Sequence, residues 1–169
     1  MRILIIALPR TGSTSLMSRY SEEYRIPFIF EPFDPKRYRY GILPTDVVVK
    51  TMMYHCPNGF DTAIDAYIEL VKEFDKVILL SRRDLKECSE SWAYLQHHNH
   101  KNFNSLKHYV WKTPPNVEKY EVDIIRWDSE LLVLSNTLNI PITYYEDIFD
   151  KNSNERYRKN ISNNQIGLI

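Results

Sequence analysis

The chain carries no net charge: lysine plus arginine and aspartate plus glutamate each total 22 in 169 residues. No global field draws it onto nucleic acid or an anionic membrane, so any anion site must be local. Cysteine is nearly absent. Cys56 and Cys88 show no CxxC or other metal spacing, and two thiols make no disulfide framework, which points to a reducing, cytoplasmic setting. No stretch approaches the roughly 18 apolar residues of a membrane span. The apolar start, Ile3 to Leu8, is too short for a secretory segment and runs directly into Pro9-Arg10. Repeats and low-complexity segments are also missing. The expectation is a soluble protein that begins at its own first strand and has neither nucleic-acid nor membrane partners.

What is present is enough apolar material, 43% of residues, for one domain over 1–169 with a real core. Arg2 to Leu8 is a continuous aliphatic run, the pattern of a strand buried on both faces. A Gly/Ser/Thr turn follows, and Ser13 or Ser15 opens a helix to about Tyr24. Ile26 to Phe30 reads as a second strand, the stretch with Pro32, Pro35 and Lys36 to Tyr40 as a loop, and Asp46 to Met52 as a third strand. Asp61 to Phe74 has apolar residues at the spacing of an amphipathic helix. Lys76 to Ser81 is a fourth buried strand, and Asp84 can cap a helix from about Leu85 to His97. Asn99 to Pro115 reads as an irregular insert, Val117 to Leu138 as a long helix and Ile142 to Tyr145 as the last strand, with helix or loop after Asp147. Strands alternating with helices predict an α/β fold: a single three-layer domain on a mostly parallel sheet of about five strands.

The segment Leu8-Pro9-Arg10-Thr11-Gly12-Ser13-Thr14-Ser15 joins the first strand to the first helix. A buried strand, a tight turn and a helix start aim several backbone amides at one point, which suits a phosphate or sulfate. The hydroxyls of Thr11, Ser13, Thr14 and Ser15 add donors, and Arg10 adds a planar, permanently charged fork. The alternative is an ordinary strand-to-helix turn with hydroxyl caps. The loop is also a failed Walker A motif, with Ala7 at the first glycine and Ser13 where the lysine belongs. Without that lysine the β- and γ-phosphate charge of ATP or GTP lacks its usual neutralising partner.

Pro9-Arg10-Thr11-Gly12-Ser13-Thr14 resembles the 5′-phosphosulfate loop of sulfotransferases that use 3′-phosphoadenosine-5′-phosphosulfate (PAPS). The arginine makes it more similar to the tyrosylprotein and bacterial trehalose enzymes than to the cytosolic aryl enzymes, which carry lysine there. A second segment, Arg83-Asp84-Leu85-Lys86-Glu87-Cys88-Ser89-Glu90-Ser91, is similar to the family's 3′-phosphate motif, an arginine at a strand end and a serine eight residues on. Independently of the resemblance, an arginine leaving a parallel strand's C-terminal end points into the crevice where α/β proteins bind ligands. Arg83 fits the spacing and Arg82 does not, since eight residues after Arg82 stands Glu90. The alternative is a solvated arginine pair. Tyr144-Tyr145-Glu146-Asp147 resembles the family's late Tyr-Glu-Asp element.

The resemblance implies sulfuryl transfer from PAPS, with 3′,5′-ADP as product, to a small-molecule, glycan or peptide acceptor. Such a transfer needs a base and positive charge at the leaving oxygen, and no metal. Arg10 is the candidate for the leaving oxygen. Glu31, 21 residues after Arg10, matches the remove at which the tyrosylprotein and trehalose enzymes place a catalytic glutamate. A strand-end surface carboxylate is the alternative. His55 is the rival base: the aryl enzymes carry theirs in Lys-Thr-His, but here Lys50-Thr51 is followed by Met52, and His55 comes three residues later. Lys50 is a candidate sulfonate or phosphate contact, or merely flanks a strand end. His97, His98 and His100 cluster without an acid or thiol to complete a metal shell. Trp92, Tyr94, Trp111 and the Tyr-rich 38–40 segment are candidates for an acceptor pocket, with core packing favoured for Trp92. Arg156, Arg158 and Lys159 either close over the nucleotide or belong to a frayed tail.

Overall fold

A computed structural model of the protein describes residues 1–34, 43–57, 59–97 and 116–149, with His97 described by its backbone alone. The first strand, β1 (Arg2–Ala7), is buried along nearly its whole length because it stands in the middle of the sheet. It pairs in parallel with β3 (Val47–Met52) on one side and β4 (Lys76–Ser81) on the other. β2 (Phe28–Phe30) extends the sheet beyond β3, and β5 (Ile142–Tyr144) beyond β4. The result is a five-stranded, all-parallel sheet in the order β2-β3-β1-β4-β5.

The alternation of side chains along β1 divides the core in two. Leu4, Ile6 and Leu8 face Tyr67, Trp92, Leu95, Ile124 and Trp127, which come from α2 (Ala63–Leu70), α3 (Leu85–His97) and α4 (Val117–Leu138). Ile3, Ile5 and Ala7 face Leu16 and Met17 of α1 (Ser13–Tyr24), and Tyr145 and Ile148 of α5 (Tyr145–Ile148). Burying each such aliphatic side chain is worth about 1.5–3 kcal/mol, so a strand this apolar is stable only where both faces are covered. A right-handed crossover puts its helix on opposite faces when the chain moves in opposite directions along the sheet. The β1-α1-β2 and β3-α2-β4 connections run in opposite directions, and α1 and α2 accordingly lie on opposite faces. This is the expected three-layer α/β domain. No helix among the described residues is long and apolar enough to cross a membrane.

Boundaries differ where capping intervenes. Ile26, expected in β2, instead donates its N–H to Ser21 O, 3.2 Å away, closing α1 behind a left-handed Arg25 (φ 54°). The helix expected over Asp61 to Phe74 starts after Thr62, whose hydroxyl accepts from the Asp65 N–H at 3.1 Å, and tightens into a 3₁₀ turn over Val71–Glu73. Asp84 does cap α3, accepting from the Glu87 N–H at 2.8 Å. The insert Asn99 to Pro115 lies outside the described residues.

The connection after β1 leads towards the β2 edge, and the connection after β4 leads towards the β5 edge. The adjacent strands β1 and β4 therefore flank the topological switch point, and the crevice beyond their C-terminal ends is the general ligand position of open α/β sheets.

Candidate functional site

Two left-handed residues shape the loop at the end of β1: Arg10 (φ 63°) and Gly12 (φ 73°). Before them, the Leu8 N–H donates to Leu80 O at 3.1 Å and continues the pairing with β4. After them, the Leu16 N–H donates to Gly12 O at 3.0 Å and begins α1. No side chain caps this helix, so the amides of its first turn have no partner within it. Ser13 and Ser15 are buried in that turn. The Thr11 hydroxyl, expected to serve as an anion donor, instead donates to Leu8 O at 2.7 Å and braces the turn. Gly12 admits no side chain: a Cβ there would stand 2.8 Å from Tyr145 Cδ2 and 3.2 Å from Phe149 Cε2.

Helix α3 backs the loop. The Arg10 Nε–H donates to Ser91 Oγ at 2.8 Å, which joins the two motifs read separately in the sequence. Buried Cys88 donates its thiol hydrogen to Pro9 O, and burial pushes that thiol up to about 12. The thiolate is the reactive form, so at neutral pH an alkylating reagent should modify half-buried Cys56 in the native protein. Cys88 should react only along the unfolding curve; equal native labelling of the two would contradict the packing beneath Pro9.

The two arginines after β4 lie differently with respect to the loop. Arg83, chosen by spacing, is half-exposed and turned away from the loop: Nη1 and Nη2 donate to Asp147 Oδ1 and Oδ2 at 2.7 and 2.8 Å. The Asp147 carboxylate raises the Arg83 pKa, and the Arg83 guanidinium lowers that of Asp147. Arg82 is the one against the loop, with Nη1 3.4 Å from Arg10 O, its guanidinium 4.8 Å from the Tyr145 ring centre, and Glu87 at 2.5 Å. The period-two rule was a usable signal: Arg82 continues the parity of Ile78 and Leu80, which face α1 and α5. Ser81 has the other parity and donates to Asp128 Oδ1 of α4 at 2.6 Å. Glu146 holds α5 in place, accepting from the Arg83 N–H at 3.1 Å and the Asp84 N–H at 3.4 Å.

Next to the loop, at the ends of β2 and β3, the two candidate bases meet. The Glu31 N–H donates to Lys50 O at 2.8 Å, one step beyond the Phe30–Lys50 pairing. Glu31 is left-handed (φ 50°) and opens a turn closed by the Asp34 N–H on Glu31 O at 3.2 Å. Buried Lys50 donates to Glu31 Oε1 and lies 4.1 Å from the Phe30 ring centre, so its ammonium faces this pocket rather than flanking a strand end. After β3 the chain folds back, the His55 N–H donating to Met52 O at 3.0 Å. That turn brings a ring nitrogen of His55 and carboxylate oxygens of Glu31 and Asp34 within 4.8 Å of one another. His55 is buried, with Nδ1 at 3.5 Å from the Met52 N–H. Glu31, Asp34 and His55 have the chemistry of metal ligands, and the Lys50 ammonium already supplies positive charge at Glu31.

Asp34 was missed in the sequence because its approach depends on the left-handed turn at Glu31. Trp92 is buried in the core, where Tyr54 lies 6.0 Å from it and 4.6 Å from Trp127 between ring centres. Tyr94 is buried as well. Trp111, the 38–40 segment, His98, His100, the His97 side chain, and Arg156, Arg158 and Lys159 lie outside the described residues. No model of a known protein family matches the chain, and no curated protein sequence matches it.

Proposed function

We propose that the chain transfers a sulfuryl group from PAPS to a hydroxyl or amine of its acceptor. The observation that carries this reading is the Arg10–Ser91 contact, which fastens the phosphate-type loop to the helix bearing the second anion motif at the switch point of the sheet. In this reading the amides of residues 11–15 and the hydroxyls of Ser13, Thr14 and Ser15 receive the 5′-phosphosulfate, while Arg83 and Ser91 receive the 3′-phosphate. The acceptor oxygen or nitrogen forms its bond to sulfur as the bond from sulfur to the bridging phosphate oxygen breaks. Arg10 holds the charge that collects on that oxygen, Glu31 takes the acceptor's proton, and 3′,5′-ADP leaves. Lys50 positions the Glu31 carboxylate, and His55 with Asp34 completes the same pocket.

The experiment is calorimetry with 3′,5′-ADP followed by turnover with PAPS and an acceptor library. Glu31→Gln keeps an acceptor for the Lys50 ammonium but loses the base. It should retain 3′,5′-ADP binding while turnover falls on the order of 10²- to 10⁴-fold. Absence of any 3′,5′-ADP affinity in the wild type would sink the donor assignment. A second reading, a nucleotide-binding module without chemistry, is favoured by the direct Lys50–Glu31 pairing, and it requires that wild type and Glu31→Gln bind 3′,5′-ADP alike and that neither turns over PAPS.

A further inference from the structure

Arg83 has the spacing of a phosphate ligand, yet its guanidinium is occupied. We propose that Asp147 is a built-in stand-in for the donor's 3′-phosphate, holding Arg83 in the ligand-free protein until phosphate exchanges for carboxylate. The inference rests on the sulfotransferase reading and adds to it a regulation of donor affinity.

Four observations carry it. The contact is bidentate, at 2.7 and 2.8 Å, and a guanidinium fork accepts a carboxylate or a phosphate in the same geometry. Both partners are about half exposed, 54% for Arg83 and 53% for Asp147, so solvent screens the pair and its net worth is small. A phosphate monoester brings more charge to the same fork and can displace it. Asp147 is also not what keeps α5 in place: Glu146 does that through the Arg83 and Asp84 amides, and Tyr145 packs against Gly12. Finally, the Arg83 guanidinium lies 4.6 Å from the Tyr144 ring centre, a resting place beside the carboxylate.

Asp147→Asn removes the competing charge at nearly constant size. It should tighten 3′,5′-ADP binding by about two- to fivefold, the range available from an exposed ion pair, and leave 5′-AMP affinity unchanged, because 5′-AMP has no 3′-phosphate. Arg83→Ala should weaken 3′,5′-ADP and leave 5′-AMP unaffected. Circular dichroism checks that both variants fold. If wild type binds 3′,5′-ADP and Asp147→Asn binds it no tighter, the stand-in is wrong and the donor reading survives. Equal tightening of 5′-AMP would assign the effect to the general field and overturn the stand-in too. If neither wild type nor variant binds 3′,5′-ADP, the donor reading falls and takes this inference with it.

Discussion

Lys50→Met should destabilise the protein by about 3–5 kcal/mol, the usual consequence of breaking a buried ion pair from one side. The Lys50 side chain is 1% exposed and that of Glu31 10%, so water replaces neither half of the pair. Glu31 directly follows β2 and Lys50 lies on the neighbouring β3, the Glu31 amide on Lys50 O, so the backbone keeps the carboxylate buried after the ammonium has gone. Urea denaturation followed by circular dichroism measures the loss. Lys50→Met combined with Glu31→Gln should recover more than half of it, since the broken ion pair rather than lost packing is the main cause. A single-variant loss below about 1 kcal/mol would mean that the pair carries no buried charge. Turnover should vanish in both variants, because in the proposed chemistry one lacks the group that orients the base and the other lacks the base.

Gly12→Ala should cost about 2–5 kcal/mol and abolish 3′,5′-ADP binding. Two effects add. A left-handed backbone costs an L-residue about 1–2 kcal/mol, and at φ 73° Gly12 lies in that region. The new methyl would meet the Tyr145 ring at 2.8 and 2.9 Å, and crowding of a packed interior costs about 1–3 kcal/mol. The ring has little room to retreat, with Phe149 at 5.2 Å and the Arg82 guanidinium at 4.8 Å from its centre. Introducing Gly12→Ala into a Tyr145→Ala background should therefore leave mainly the backbone part, about 1–2 kcal/mol. Should Gly12→Ala melt like wild type and bind 3′,5′-ADP normally, the loop would not have the conformation described.

The architecture was legible because its strongest signals are local. β1, β3 and β4 are aliphatic runs long enough to demand cover on both faces, and α4 has apolar side chains at helical spacing. The loop was legible from its position between a buried strand and a helix. What could not be read depends on which strands become neighbours. Nothing local says that β2 adds beyond β3, and that adjacency is what sets Glu31 on Lys50. His55 stood three residues late for a linear comparison, and the Met52–His55 turn brings it beside Glu31 and Asp34, a proximity that spacing does not encode. Spacing favoured Arg83 over Arg82, whereas strand parity puts Arg82 against the loop and leaves Arg83 to a carboxylate more than sixty residues away in sequence.

The central place of β1 also governs the order of assembly. Ile5 pairs with Lys50 on one side and Ile78 on the other, both far downstream. Parallel pairings across such separations close slowly, because the entropy of a large loop is lost before any contact compensates for it. As the chain emerges during synthesis, β1 and the turn after it wait without neighbours while β3 and then β4 appear. Ser91 follows later still. The conformation of that turn is thus acquired late, when the second side of β1 closes and α3 comes to lie behind it.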